Sequence, residues 1–324
     1  YFNARQDCDI RLLTHPGVTE GMELPRVEYE PHRKPAEKTH WYIRNLESHI
    51  LNGQAVVQSV HKMEQQGFRP DIILGHSGWG ETLYLKDIWP DVPLISYFEW
   101  YFGSPGGEVG FDPEFPISND DWPAHRSMNA TNLLALQATD WGEVPTNWQW
   151  TRYPEHHRKM MTVVHEGVDT ETLKPNPEAS ISFKRAGVEV KAGDEVLTFV
   201  SRNLEPFRGF HSFIRAVPAL QKARPNLRII ITGGDQVAYG AMPKEGGTWK
   251  EKFMAEVGGR IDMDRVHFLG IVPYAEFVAL MQISMVHVYL TYPFVLSWSM
   301  LEAMAAGTLV IGSRTPPVEE VIKH

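Results

Sequence analysis

The strongest constraint on the fold is an alternation in the second half of the chain between short β-rich runs and helical patterns. Runs at residues 195–200, 227–232, 266–269, 286–290 and 308–311 are separated by periodic segments at 210–222 and 249–257, or by loops rich in Gly and Pro. That βαβ rhythm specifies an α/β domain with a doubly wound parallel sheet. The first half repeats it less cleanly, with strands expected at 71–74, 94–97 and 161–164 and helices at 46–66 and 129–138.

A chain of 324 residues is long enough for two such domains. Residues 169–177 contain Thr170, Lys174, Pro175, Asn176 and Pro177, a composition suited to a linker, so the expected domains are 1–170 and 171–324. The single cysteine, Cys8, excludes an internal disulfide framework and a multi-cysteine zinc site, which makes a reducing, cytoplasmic location the expectation. No run approaches the ~20 apolar residues of a membrane span. The net charge of −9 is uneven: residues 1–170 carry 14 Lys+Arg against 24 Asp+Glu, and residues 171–324 carry 17 against 16, so −10 and +1. An acidic first half argues against nucleic acid or an anionic lipid surface as partner.

Ligands of open α/β sheets bind beyond the carboxyl ends of the strands, so the residues after each run are the ones to inspect. Arg202 and Arg208 bracket a strand-to-helix loop in which Gly209 lets the backbone approach a ligand, an arrangement open to a diphosphate clamp or to two solvated charges. Gly233 and Gly234 follow the next run, where they allow a ligand to approach the backbone, which makes Gly233 a cofactor-binding candidate, or else form a turn. A helix is expected to start near Ser297 and Trp298 and to stop at Gly307. Glu302 is its only charge and needs either a sugar hydroxyl pair or an internal partner. In the first half His76 and Glu99 follow strands and are acid/base candidates, or else satisfied polar groups of loops. Eight of the ten tryptophans lie before residue 151; flat faces of this kind suit sugar rings, although most are expected to be core or loop anchors. Of two Asp-x-Asp triplets, the one at Asp7 is discounted for its place at the start of the chain and the one at Asp262 reads as ordinary turn chemistry; the adjacent His156 and His157 are expected to diverge, so no metal site is expected.

Ser201-Arg202 through Arg208-Gly209, Phe268-Leu269-Gly270, the run from Leu301-Glu302 to Gly307 and Pro317-Val318-Glu319-Glu320 together resemble family 4 of the retaining glycosyltransferases. The resemblance implies the GT-B fold, two Rossmann-like domains facing across a cleft, and a UDP-sugar or GDP-sugar donor with no further cofactor. It implies that Arg202 and Arg208 hold the donor diphosphate, with Arg208 standing where the family usually has Lys. Glu302 would bind the ribose, Val272 would lie by the base, and the amides at Ser297 and Trp298 would meet phosphate. Two further positions depart from the pattern: Phe294 stands where the family has a glutamate that contacts the transferred sugar, and Glu99 stands near the usual place of a histidine. Complete enzymes of this type begin with a strand and glycine-rich loop and end with a helix returning to the first domain, so a chain running from Tyr1 to His324 is expected to be a trimmed body. The function implied is metal-independent, retaining transfer of a hexose from the nucleotide sugar to a saccharide, small molecule or protein. A nucleotide-sugar epimerase of the same fold and a non-catalytic sugar-binding derivative are the alternatives.

Overall fold

The computed structural model describes residues 7–17, 24–103, 106–183 and 187–323. The chain divides into two compact units, Tyr1–His165 and Glu166–His324, a few residues ahead of the expected boundary.

In the first unit a short parallel pair, β1 (Leu12–Thr14) and β2 (Arg26–Glu28), precedes the long helix α1 (Arg44–Gln65). Strand β3 (Ile73–His76), helix α2 (Leu85–Ile88), strand β4 (Leu94–Tyr97) and helix α3 (Asp121–Ala138) follow. Strand β5 (Trp141–Val144), helices α4 (Asn147–Arg152) and α5 (Glu155–Arg158), and strand β6 (Met161–Val163) complete the unit. The sheet has the order β3-β4-β5-β6 and is parallel throughout. Val56 and Val60, one helical turn apart on α1, pack with Leu85, Trp89 and Val92, while Phe98, Leu136, Val144, Tyr153 and Met161 form a second core.

The second unit opens with a hairpin, β7 (Ser180–Phe183) and β8 (Val188–Lys191). Then come β9 (Val196–Asn203), α6 (Phe210–Ala223), β10 (Arg228–Gly234), α7 (Trp249–Val257) and β11 (Val266–Gly270). The unit continues with α8 (Tyr274–Ile283), β12 (Val286–Tyr289), α9 (Trp298–Ala305), β13 (Leu309–Gly312) and α10 (Pro316–Val321). The five-stranded sheet runs β11-β10-β9-β12-β13, all parallel. From β9 the chain steps outward through β10 and β11 and then returns to the other side of β9, so a topological switch point lies between β9 and β12. Ile229, Ile230 and Ile231 are wholly buried, as suits a central parallel strand.

Three local expectations are corrected. Residues 169–177 are not a free linker: the Asp169 carboxylate accepts hydrogen bonds from the amides of Glu171 and Thr172, Leu173 is buried, and the Lys174 carbonyl accepts one from Gln282. Burying Leu173 and capping the turn fold this segment onto the second unit. Gly233 and Gly234 belong to strand β10 rather than to a turn, because Gly234 still pairs with Asn203. The rings of His156 and His157 do not diverge; on the single turn of α5 their centroids are 4.1 Å apart. Asp262 does perform turn chemistry, accepting from the Asp264 amide. Among the described residues no helix is long and apolar enough to cross a membrane.

Candidate functional site

In the second unit every strand of the main sheet points the same way, so the loops after β9, β10, β11 and β12 leave from one edge. Along that edge lie the strand ends with Arg202 and Gly233, the loops with Leu204 to Gly209, Val272 and Ser297, and Trp298 at the start of α9. The switch point lies within this edge, where parallel α/β sheets place their ligands.

The two arginines differ sharply. Arg202 is exposed near the end of β9 and makes no ion pair with any described residue, whereas Arg208 is only 7% exposed. Its Nη1 donates to the Tyr289 hydroxyl at 3.2 Å, to Thr291 Oγ1 at 2.8 Å and to the Val295 carbonyl at 3.1 Å. Its guanidinium also lies over the rings of Tyr239 and Phe294, at 5.1 and 5.8 Å. Burial alone would lower the guanidinium's pKa, but Tyr289, Tyr239 and Glu205 around it hold the value above the ordinary one. A clamp of two free guanidinium groups is therefore not what this arrangement presents. Phe294, in the place of the expected glutamate, packs against Phe207 and Tyr239 at centroid distances of 5.0 and 4.9 Å.

Glu205, also buried, turns its carboxylate toward the loop after β10, where Oε1 accepts from the Ala238 amide at 2.9 Å and Oε2 from the Gly240 amide at 3.0 Å. Gly209 begins α6 with φ 68°, and a Cβ there would collide with Leu290. The position thus requires glycine both for its left-handed backbone and for the approach to the loop after β12.

Helix α9 starts as expected, with Ser297 at its N-cap and no side chain capping it. The Ser297 amide is nevertheless spent on the Tyr289 hydroxyl at 2.8 Å, just ahead of the first turn of the helix. Glu302 has the internal partner that its setting demanded: Tyr274 donates to Oε1 at 3.3 Å. Burial raises the Glu302 pKa, and the tyrosine bond opposes that shift. Val272 packs against the core with its side chain turned inward.

In the first unit the structure brings the two acid/base candidates together. His76 closes β3, Glu99 follows β4, and pairing of those strands sets His76 Nε2 3.3 Å from Glu99 Oε2. The Gly78 amide donates to His76 Nδ1 at 3.0 Å, so the ring proton is assigned to Nε2, aimed at the carboxylate. Gln149 holds the Glu99 carbonyl at 2.7 Å, and Ser77 Oγ donates to the Tyr97 carbonyl at 2.9 Å. Beside the pair stands the indole of Trp79, 54% exposed, 5.7 Å from the His76 ring, its carbonyl fixed by Asn52. His49 lies behind Trp79, and burial together with the neighbouring His76 pushes its pKa down to about 4.

Glu205, Tyr289, Tyr274 and His49 are not singled out by the sequence, since each gains its role from a partner distant in the chain. A local signal exists for Glu205 alone, a carboxylate between two arginines in one loop.

Two parallel α/β units, with a site at the carboxyl edge of the second sheet, define the GT-B class of glycosyltransferase folds. In structure the chain is similar to sucrose-phosphate synthase from Thermosynechococcus elongatus, at 14% identity and a TM-score of 0.65 over 96% of this chain and 72% of that one. It is also similar to the catalytic domain of starch synthase IV from Arabidopsis thaliana bound to ADP and acarbose, at 15% identity and a TM-score of 0.57 over 86% and 63%. The model of the Glycosyl transferase family 4 group matches residues 7–173, and that of Glycosyl transferases group 1 matches residues 181–324. The chain belongs to the glycosyltransferase family 4 group. A curated relative, D-inositol 3-phosphate glycosyltransferase from Corynebacterium glutamicum (strain R), is 30% identical over 156 residues, 48% of this chain. That match spans 35% of the relative's length.

Proposed function

We propose that the chain transfers a hexose, with retention of configuration and without a metal ion, from a UDP-sugar or GDP-sugar to a saccharide, small-molecule or protein acceptor in the cytoplasm. The observation that carries the donor assignment is the switch point between β9 and β12, where exposed Arg202 and the uncapped first turn of α9 leave from one sheet edge. A leaving diphosphate gains negative charge as the glycosidic bond breaks, and a cation beside a helix N-terminus stabilises that charge. Glu302 then takes the ribose hydroxyls in exchange for its bond to Tyr274, and the backbone at Val272 borders the base. His76 and Glu99 serve the acceptor side as an acid/base or orienting pair, and the exposed Trp79 indole offers a face to a sugar ring.

The test is a thermal-shift screen with UDP, GDP, ADP and their sugars in the presence of EDTA. One nucleotide is expected to raise the melting temperature in a concentration-dependent way. Arg202→Ala should abolish that rise while melting normally on its own. Nucleotide binding that requires a divalent cation, or a product of inverted anomeric configuration by NMR, would overturn the proposal. Phe294, an aromatic residue where a sugar contact is expected, favours one second reading, a sugar-nucleotide binder that does not turn over. Saturable donor binding with neither transfer nor hydrolysis would identify it.

A further inference from the structure

Arg208 and Phe294 are the two donor-side positions where this chain departs from the family pattern, and in the fold they touch. An aromatic ring at 294 gives the guanidinium a face to stack on and no carboxylate to pair with, and Tyr239 covers it from another side. The charge is therefore held below the surface, and three hydrogen bonds from Nη1 go to Tyr289, Thr291 and Val295, in the segment that runs from the end of β12 into α9. Tyr289 is the link in this set. Only 2% exposed at the end of β12, it accepts with one hydroxyl oxygen from Arg208 Nη1 at 3.2 Å and from the Ser297 amide at 2.8 Å.

We propose that Tyr289 is a positioning residue that ties the buried Arg208 to the first turn of α9, so that Arg208 serves the donor site through Tyr289 and Ser297 and not by touching the diphosphate. The hydroxyl fixes where the helix begins, and hence where its free amides point. The guanidinium in turn fixes the hydroxyl, and a second branch through Val295 holds the approach to Ser297. This inference rests on the reading of the second unit as the donor site.

Tyr289→Phe separates the two roles of Arg208, because it keeps the ring packing and the positive charge and removes only the link. The experiment measures the affinity of the full chain for UDP, GDP and ADP by calorimetry in wild type, Tyr289→Phe, Arg208→Met and the double variant. Each protein is also followed by hydrogen exchange of peptides covering residues 291–300 without nucleotide. An unpaired, half-buried donor at Ser297 is expected to weaken binding of the preferred nucleotide on the order of tenfold. Arg208→Met should weaken it similarly, and the double variant no further, as for two members of one unit. Exchange in residues 295–300 should rise alike in all three variants, while Tyr289→Phe melts below wild type but still in one cooperative transition. Unchanged affinity in Tyr289→Phe with a large loss in Arg208→Met would overturn the proposal in favour of direct contact. So would exchange that rises in one single variant and not in the other. A wild-type chain that binds none of the three nucleotides refutes the donor-site reading instead, and the exchange data still decide whether the Tyr289 link exists.

Discussion

His287 should give the second unit a sharp sensitivity to acid. It lies wholly buried on β12, directly opposite Thr198 of β9, across the switch point. Ser284 Oγ donates to the Val286 carbonyl, so it accepts from the Thr198 hydroxyl at 2.8 Å, and Thr198 Oγ1 in turn accepts from His287 Nδ1 at 3.0 Å. The proton is thus on Nδ1, and Nε2 is left buried without a partner among the described residues. Protonating Nε2 would place a charged donor where nothing accepts it, and burial accordingly pushes the pKa from 6.5 down to about 4. Between those values the unfolded chain binds a proton that the folded chain refuses, so stability is fully present above pH 6.5, falls as the pH drops, and levels off below about 4. Lowering the value from 6.5 to about 4, at ~1.4 kcal/mol per pH unit between them, gives a loss of about 3 kcal/mol. His287→Leu removes the titration and leaves Thr198 its bond to Ser284, at a cost near neutral pH of about 1 kcal/mol. Native-state hydrogen exchange of peptides from β9 and β12 measures the opening free energy of this unit separately from the first. From pH 6.5 to 4 the wild-type value should fall by about 3 kcal/mol more than that of His287→Leu. Equal pH slopes would refute the reasoning, because the imidazole would then not be the group that acid disrupts.

Other perturbations test the site. Gly209→Ala forces a side chain into left-handed backbone against Leu290, and a loss of at least ~2 kcal/mol in urea unfolding is expected, with weakened nucleotide binding. Glu99→Gln retains a hydrogen-bonding group for His76 but removes the charge; melting should hardly change while turnover falls by about 10²-fold or more, and unaltered turnover would remove the pair from the chemistry. Trp79→Ala should alter stability by less than ~0.5 kcal/mol and raise KM for a saccharide acceptor several-fold with little change in kcat, since the ring is exposed on a fixed turn.

The second unit is easier to read from sequence than the first because its central strands are buried on both faces. Ile229 to Ile231 form an unbroken apolar run that no helix pattern imitates. Strand β5, by contrast, reads Trp-Gly-Glu-Val and is fixed by its neighbours β4 and β6 rather than by its own composition. Helix α8 offers so little polar contrast from Tyr274 to Ile283 that no periodic face emerges before it is packed. The pair β7 and β8 depends on its antiparallel cross-strand register rather than on its own composition.

At the site the same division holds, and it follows from the range of each interaction. Position after a strand is a local property, so His76, Glu99, Arg202 and Arg208 could each be singled out one at a time. What each residue does depends on which strands become neighbours. The pairing of β3 with β4 converts His76 and Glu99 from two candidates into a hydrogen-bonded pair. The return of β12 to the side of β9 brings Tyr289, Thr291 and Val295 onto Arg208 and buries a residue that any loop composition would leave in water. An arginine kept dry in this way is costly unless every acceptor around it is in place. Its burial therefore ties the conformation of the loop before α9 to the integrity of the switch point itself.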